Sequence, residues 1–142
     1  MINKKYYIVS AIYAKGESLN PEAVSSALKL SPTETRIKGA LRRLPSGGGI
    51  VAPIGLWVLR EESYSESLDG FIVEWISRYY SIGERRSSLQ GVEDLFLDLF
   101  ISVVGDRDSG TNLDFTLQPE TIDKMAEIGM PIKFTINISN DE

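Results

Sequence analysis

The chain contains neither cysteine nor histidine. Without cysteine there are no disulfides, no thiolate nucleophiles and no sulfur-ligated metals. Without histidine the commonest general base and the commonest transition-metal ligand are missing, as is the only side chain that titrates near neutrality unperturbed. Carboxylate, lysine, tyrosine or serine chemistry stays open, but most familiar hydrolytic constellations are removed, so the sequence predicts no catalytic residues, no metal and no cofactor. It also lacks any apolar run near the ~18–20 residues of a membrane span, and Tyr6 to Ala14 carries no signal-peptide cleavage pattern. These absences predict a cytoplasmic protein with no membrane partner.

What is present suits a soluble domain: 142 residues, 42% hydrophobic and 25% charged. A chain this long buries roughly 68–70% of its unfolded surface as one domain, taken here as residues 1–142. The net charge of -5 conceals an asymmetry, because residues 1–53 hold eight Lys/Arg against three Glu, whereas residues 54–142 hold seven against seventeen Asp/Glu. The whole repels nucleic acid and anionic membrane, while the region of Arg36, Lys38, Arg42 and Arg43 is locally basic.

Lys5 to Ala14 places Tyr6, Ile8 and Ile12 on one face and Tyr7, Val9 and Tyr13 on the other, the pattern of a central strand. Asn20-Pro21-Glu22 opens a short helix with an N-cap, a proline at its first position and an acid in its first turn. Pro45 to Pro53 encloses Gly47-Gly48-Gly49, so residues 40–53 are expected as a mobile glycine-rich loop. Ile54 to Arg60 reads as a strand that Glu61-Glu62-Ser63 turns into a long helix over Ser65 to Tyr80, with Leu68, Phe71, Ile72, Trp75, Ile76 and Tyr79 as its buried stripe. A short helix over Glu84 to Leu89 follows. Leu95 to Val104 alternates as a strand, a hairpin loop spans Gly105 to Thr111, and Leu113, Phe115 and Leu117 mark another strand with one wet face. A helix from Pro119 carries Ile122, Met125 and Ala126 and stops at Gly129; a final strand turns Ile132, Phe134, Ile136 and Ile138 inward. The fold class is α+β: one mostly antiparallel sheet of about five strands with helices on one face, in the order β-α-β-α-(α)-β-β-α-β.

Leu19-x-Pro21-Glu22-x-Val24 recurs as Leu117-x-Pro119-Glu120-x-Ile122, which fits either a repeated strand–helix unit or shared helix-start chemistry. Three further blocks stand out: Leu30-x-Pro32-Thr33-x-Thr35-x-x-Lys38-Gly39, Trp57-x-Leu59, and Leu117-x-Pro119-Glu120 running to Ile128-Gly129. Together they resemble the signature of domain of unknown function 4279, a widespread, mainly bacterial family, over nearly the whole chain. The resemblance implies a fold rather than an activity. Ala40 stands where members usually carry an acid after the Lys-Gly pair, and Asn137 and Ser139 stand in place of the usual aspartate–aromatic ending.

Thr33, Thr35, Arg36 and Lys38, with Gly39, carry the hydroxyls and cations that phosphate or carboxylate recognition uses. The alternative is structural: Thr33 caps a turn, Gly39 supplies a positive φ, and the cations are solvated. Asp106 to Asp114 superficially suggests a calcium loop, but its glycine comes one place early and Leu117 holds the final ligand position, so a hairpin connection is expected. Glu61-Glu62 and Glu93-Asp94 are adjacent in sequence, so their side chains diverge and cannot form an acid/base pair. Trp57 and Trp75 are expected in the core.

The function expected from this balance is protein binding without catalysis. Its most specific form is a bacterial immunity protein that occludes a cognate secreted toxin domain, for instance a nuclease, of the contact-dependent-inhibition or polymorphic type. Glu61, Glu62, Asp106, Asp108 and Asp114 would form an acidic patch drawn to the toxin's basic cleft. A module binding a small anion or nucleotide through Thr33, Thr35, Arg36 and Lys38 is the alternative. Lacking histidine, the chain binds its partner almost equally between about pH 6 and 8 unless a partner group titrates; affinity measured across that window checks this.

Overall fold

The computed structural model describes residues 6–105 and 114–140. Its middle strand is β1 (Tyr6–Gly16), and the alternation of the sequence explains why. Tyr6, Ile8, Ile12 and Ala14 are all at most 5% exposed on one face. Along its length β1 pairs antiparallel with β5 (Gly55–Ser65), from Tyr6 opposite Ser65 to Gly16 opposite Gly55. On its other side it pairs antiparallel with β6 (Asp94–Gly105). Beyond β5 lies the short β2 (Glu34–Arg36), and beyond β6 lies β7 (Ile132–Asn140), parallel to it. The sheet order is therefore β2-β5-β1-β6-β7, mostly antiparallel with one parallel pair. The expected α+β class and strand number hold.

Among the described residues, four α-helices, α1 (Pro21–Leu28), α2 (Leu68–Tyr79), α3 (Ile82–Arg85) and α4 (Pro119–Ile128), and a 3-10 turn over Arg86–Ser88 complete the architecture. Asn20 Oδ1 accepts from Glu22 N at 3.0 Å to start α1, which ends on Lys29 in the left-handed region before Pro32. Ser67 Oγ accepts from Gly70 N at 3.1 Å to start α2. All six residues of the expected α2 stripe are buried, and they pack on the Tyr6/Ile8/Ile12 face together with Leu97, Leu99 and Ile101 of β6. Trp57 is fully buried there, and its indole N–H donates to Ser25 Oγ at 3.0 Å, so its one polar atom is satisfied.

Several expectations change. Residues 40–53 are not an irregular loop throughout: β3 (Leu41–Arg43) and β4 (Gly49–Val51) pair as a separate two-stranded ribbon, with Leu41 opposite Val51. Leu41, Arg42 and Arg43 pair with Val51, Ile50 and Gly49, so one of the three glycines joins the ladder, and Leu44 N donating to Gly48 O at 2.8 Å closes the turn. Glu61-Glu62-Ser63 does not turn the chain, because β5 keeps its pairing with β1 as far as Ser65. The strand expected over Leu113 to Gln118 is not formed in its described part: residues 114–118 run without regular structure, and Leu113 lies outside the described residues. Phe115 and Leu117 pack on the core from outside the sheet, with the Phe115 ring 5.5 Å from that of Tyr6, and Gln118 N donates to Asp69 Oδ1 at 2.9 Å. β2 takes that strand's place in the count. The place beside β6 goes to β7 through the α4 crossover that a parallel pair requires.

Helix α4 buries Thr121, Met125 and Ile128, whereas Ile122 is 52% exposed and Ala126 is exposed. Val24 of α1, its counterpart in the sequence echo, is 1% exposed. The two copies thus present different faces, and the echo reflects shared helix-start chemistry. Of the hairpin loop expected at Gly105 to Thr111, Gly105 ends β6 and the rest lies outside the described residues.

The α2 stripe carries the core. Ile72→Ala, at a site with no exposure, costs about 2–5 kcal/mol in denaturant unfolding, whereas Val73→Ala, one position round the helix and 48% exposed, changes stability by less than about 0.5 kcal/mol.

Candidate functional site

The Thr33 to Gly39 motif does two different things. Thr33 is spent on the sheet: its hydroxyl donates to Val58 O at 3.1 Å and accepts from Arg60 N at 3.1 Å, while its backbone N–H donates to Val58 O at 2.7 Å. Gly39 has φ 88°, open to glycine without strain, and its N–H donates to Ala52 O at 2.8 Å at the base of the ribbon. Lys38 Nζ sits 3.2 Å from Glu17 Oε1 on the surface. Thr35 and Arg36 instead line a cleft of about 920 Å³ between the start of α1, β2 and the ribbon. Arg42 joins them there, with Leu19, Ile37, Leu41 and Ile50 as apolar walls and Glu22 as an opposing carboxylate. Arg36 keeps only a 3.6 Å contact to Glu34. The five residues singled out for anion binding are therefore not one constellation; Arg42 replaces Lys38 as the second cation of the cleft.

The acidic set is dispersed as well. Glu61 faces the helices, where it accepts from the Tyr79 hydroxyl and from Arg78 Nη1, the latter at 2.6 Å. Burial first, and then the Glu61 carboxylate, push the Tyr79 phenol up to about 12. Glu62 faces the other side of the sheet, where burial and its own hydrogen bond and charge raise the Tyr7 phenol. Asp114 is exposed in the segment before α4. Asp106 and Asp108 lie outside the described residues.

The sheet face away from the helices carries a constellation that the sequence reading did not single out. Successive residues alternate sides, so Tyr7, Val9, Ala11 and Tyr13 of β1, Phe96, Asp98 and Phe100 of β6, and Arg60, Glu62 and Tyr64 of β5 share this face. Tyr13 and Phe96 stack at 5.2 Å and 11°, and Tyr7 meets Tyr64 at 5.1 Å. Lys15 Nζ lies over both rings of the first pair, 5.6 Å from Tyr13 and 5.5 Å from Phe96. Arg60 Nη2 donates to the Tyr13 hydroxyl at 3.1 Å.

At the middle of the face the register reads Arg60, Ala11, Asp98, Lys133 across four strands. Asp98 Oδ1 is buried and finds no hydrogen-bond partner among the described residues. A buried carboxylate oxygen without a donor is costly, and here it is flanked in sequence by two aromatic rings on the same face. The signal was in the alternation of Leu95 to Val104, whose second face contains one charge between Phe96 and Phe100.

Among the described residues, no three His, Cys, Asp or Glu are grouped to hold a metal ion, and no helix is long and apolar enough to cross a membrane. A family model described as Domain of unknown function (DUF4279) matches residues 5–139. No curated protein and no solved structure matches the chain.

Burial of the Tyr79 phenol, and then its contact with Glu61, set an alkaline limit. The folded phenol keeps its proton to about pH 12, whereas an unfolded tyrosine releases it near 10. The unfolded state then binds fewer protons, and stability falls as pH rises from about 10 to 12. Unfolding curves across that range show the loss, and Tyr79→Phe reduces it.

Proposed function

The chain belongs to the DUF4279 family, and from that premise we propose that it is a non-catalytic, protein-binding domain. Its specific role in this reading is that of a bacterial immunity protein which resides in the cytoplasm and neutralises a cognate toxin domain by occluding it. The family match carries fold and no activity, so the reading rests on surface chemistry. One observation carries it: an aromatic sheet face that, among the described residues, has no helix packed on it and no partner for the central Asp98 oxygen.

That face suits a basic partner. Lys15 already lies over Tyr13 and Phe96, so a partner's lysine or arginine comes against Phe100, where it meets a ring face that attracts cations and the Asp98 oxygen that needs a donor. A toxin that cuts nucleic acid has a cationic cleft, because its substrate is a polyanion. The acidic surplus of residues 54–142 then draws the two together, and association slows as salt rises. The centre of charge recognition in this proposal shifts from Glu61, which already serves Arg78 and Tyr79, to Asp98.

A second reading has its own observation. The cleft bearing Arg36 and Arg42 has the size and mostly apolar lining of a small-ligand site, which favours a small anion or nucleotide with an apolar part.

The test is capture of a protein partner from the native host, followed by titration of the purified pair. Asp98→Ala weakens the complex by about 2–5 kcal/mol, because it leaves the partner's cation buried and unpaired, and Phe100→Asp weakens it too. Recovery of no tight partner sinks the reading. A melting temperature raised by phosphate or nucleotide, and no longer raised in Arg42→Ala, favours the cleft instead.

A further inference from the structure

The two edges of the sheet are built differently. β2 is three residues long, and two of them, Glu34 and Arg36, are charged. Shortness and charge are how natural sheets keep an edge from pairing with another chain. β7 is three times as long and carries one charge. It runs for nine residues in unbroken register with β6, from Ile132 beside Leu97 to Asn140 beside Gly105. It contains no proline and no bulge, and Lys133, near its start, is its single charge.

Its apolar row is also left open. Leu99 and Ile101 of β6 are fully buried beneath the helices and Val103 is 5% exposed. Their register partners in β7, Phe134, Ile136 and Ile138, face the same way yet are 42%, 43% and 41% exposed. The helix layer covers the sheet only up to the strand before this edge. Three large apolar side chains in line on an unpaired strand are an incomplete surface.

We propose that this edge is completed by a second copy of the chain, β7 pairing antiparallel with β7 across a two-fold axis at Thr135. The strand is its own complement in that register. Phe134 stands opposite Ile136 and Ile132 opposite Ile138 on the helix side; on the other side Lys133 stands opposite Asn137, and Thr135 opposite its own copy. Apolar residues meet apolar ones, a threonine pair lies at the centre, and no like charges face each other, which are the cross-strand pairs that stabilise a sheet. A two-fold axis requires a patch that matches itself, and this one does. The two sheets become one continuous sheet of ten strands, and each copy's row of Phe134, Ile136 and Ile138 extends beside the other's. This pairing is independent of the partner proposed above, since it uses the strand edge and leaves the aromatic face of each copy free.

Sedimentation of the full chain over a wide concentration range tests it. The expected result is a reversible species of twice the 15.8 kDa chain mass, and a shift to monomer in Ile136→Lys with cooperative unfolding retained. Because the natural chain has no cysteine, Thr135→Cys supplies an independent readout. Directly paired antiparallel residues have Cα atoms about 4.5–5.5 Å apart, within disulfide reach, so mild oxidation links Thr135→Cys into a covalent dimer but leaves Ser77→Cys, on exposed α2 surface, unlinked. A chain that is monomeric at every concentration overturns the proposal. So does a dimer that Ile136→Lys leaves intact and Thr135→Cys fails to link, or an edge that takes only a strand of a different protein.

Discussion

A single layer of helices can cover one face of a five-stranded sheet, and this limit governs the molecule. β1 is central by hydrogen bonding, with a full partner on either side, yet only its Tyr6/Ile8/Ile12 face lies under helices. Burial of that face against the α2 stripe and Trp57 is where the hydrophobic stabilisation is concentrated. On the other face Ala11 and Val58 are buried too, but Tyr7, Tyr13 and Phe96 stay half-buried and Phe100 exposed, an aromatic floor without a helix over it among the described residues.

The same limit explains β7. Its alternation is that of a half-buried strand, and its register with β6 directs Phe134, Ile136 and Ile138 toward the helix side, but the cover ends before it reaches them. Both open surfaces are therefore products of one shortage of covering layers rather than separate peculiarities. They differ in chemistry: the face has several rings around an Asp98 oxygen without a partner among the described residues, whereas the edge has the exposed row of Phe134, Ile136 and Ile138.

Much of this was legible in the sequence wherever burial follows one period over many residues. The α2 stripe, the β1 alternation and the buried tryptophans could be read because packing there repeats a local pattern. Legibility failed where partner choice decides the outcome. Phe115 and Leu117 alternate with wet residues as a strand would, yet they reach the core from beside the sheet, and alternation alone does not separate the two cases. β2 is too short to carry any period. Glu61 and Glu62 look like turn residues until β1 is known to run long enough to hold them in β5. The site followed the same rule: the Thr33 to Gly39 block was conspicuous, but which of its groups remained free depended on Val58, Glu17 and Ala52, all distant in sequence. Asp98 was visible as a charge among rings, but its significance required knowing that no described residue gives its buried oxygen a hydrogen-bond partner.

The ribbon of β3 and β4 adds one more consequence. Its residues are exposed, it pairs with itself rather than with the main sheet, and Gly39 N to Ala52 O and Ala52 N to Ala40 O, at 2.8 and 2.9 Å, mark its root. The outer wall of the cleft thus stands apart from the helix-covered core. Substitutions that lengthen, shorten or re-aim it reshape the cleft mouth while the helix-covered half of the molecule is untouched, so ligand fit and thermodynamic robustness are free to diverge on separate residues.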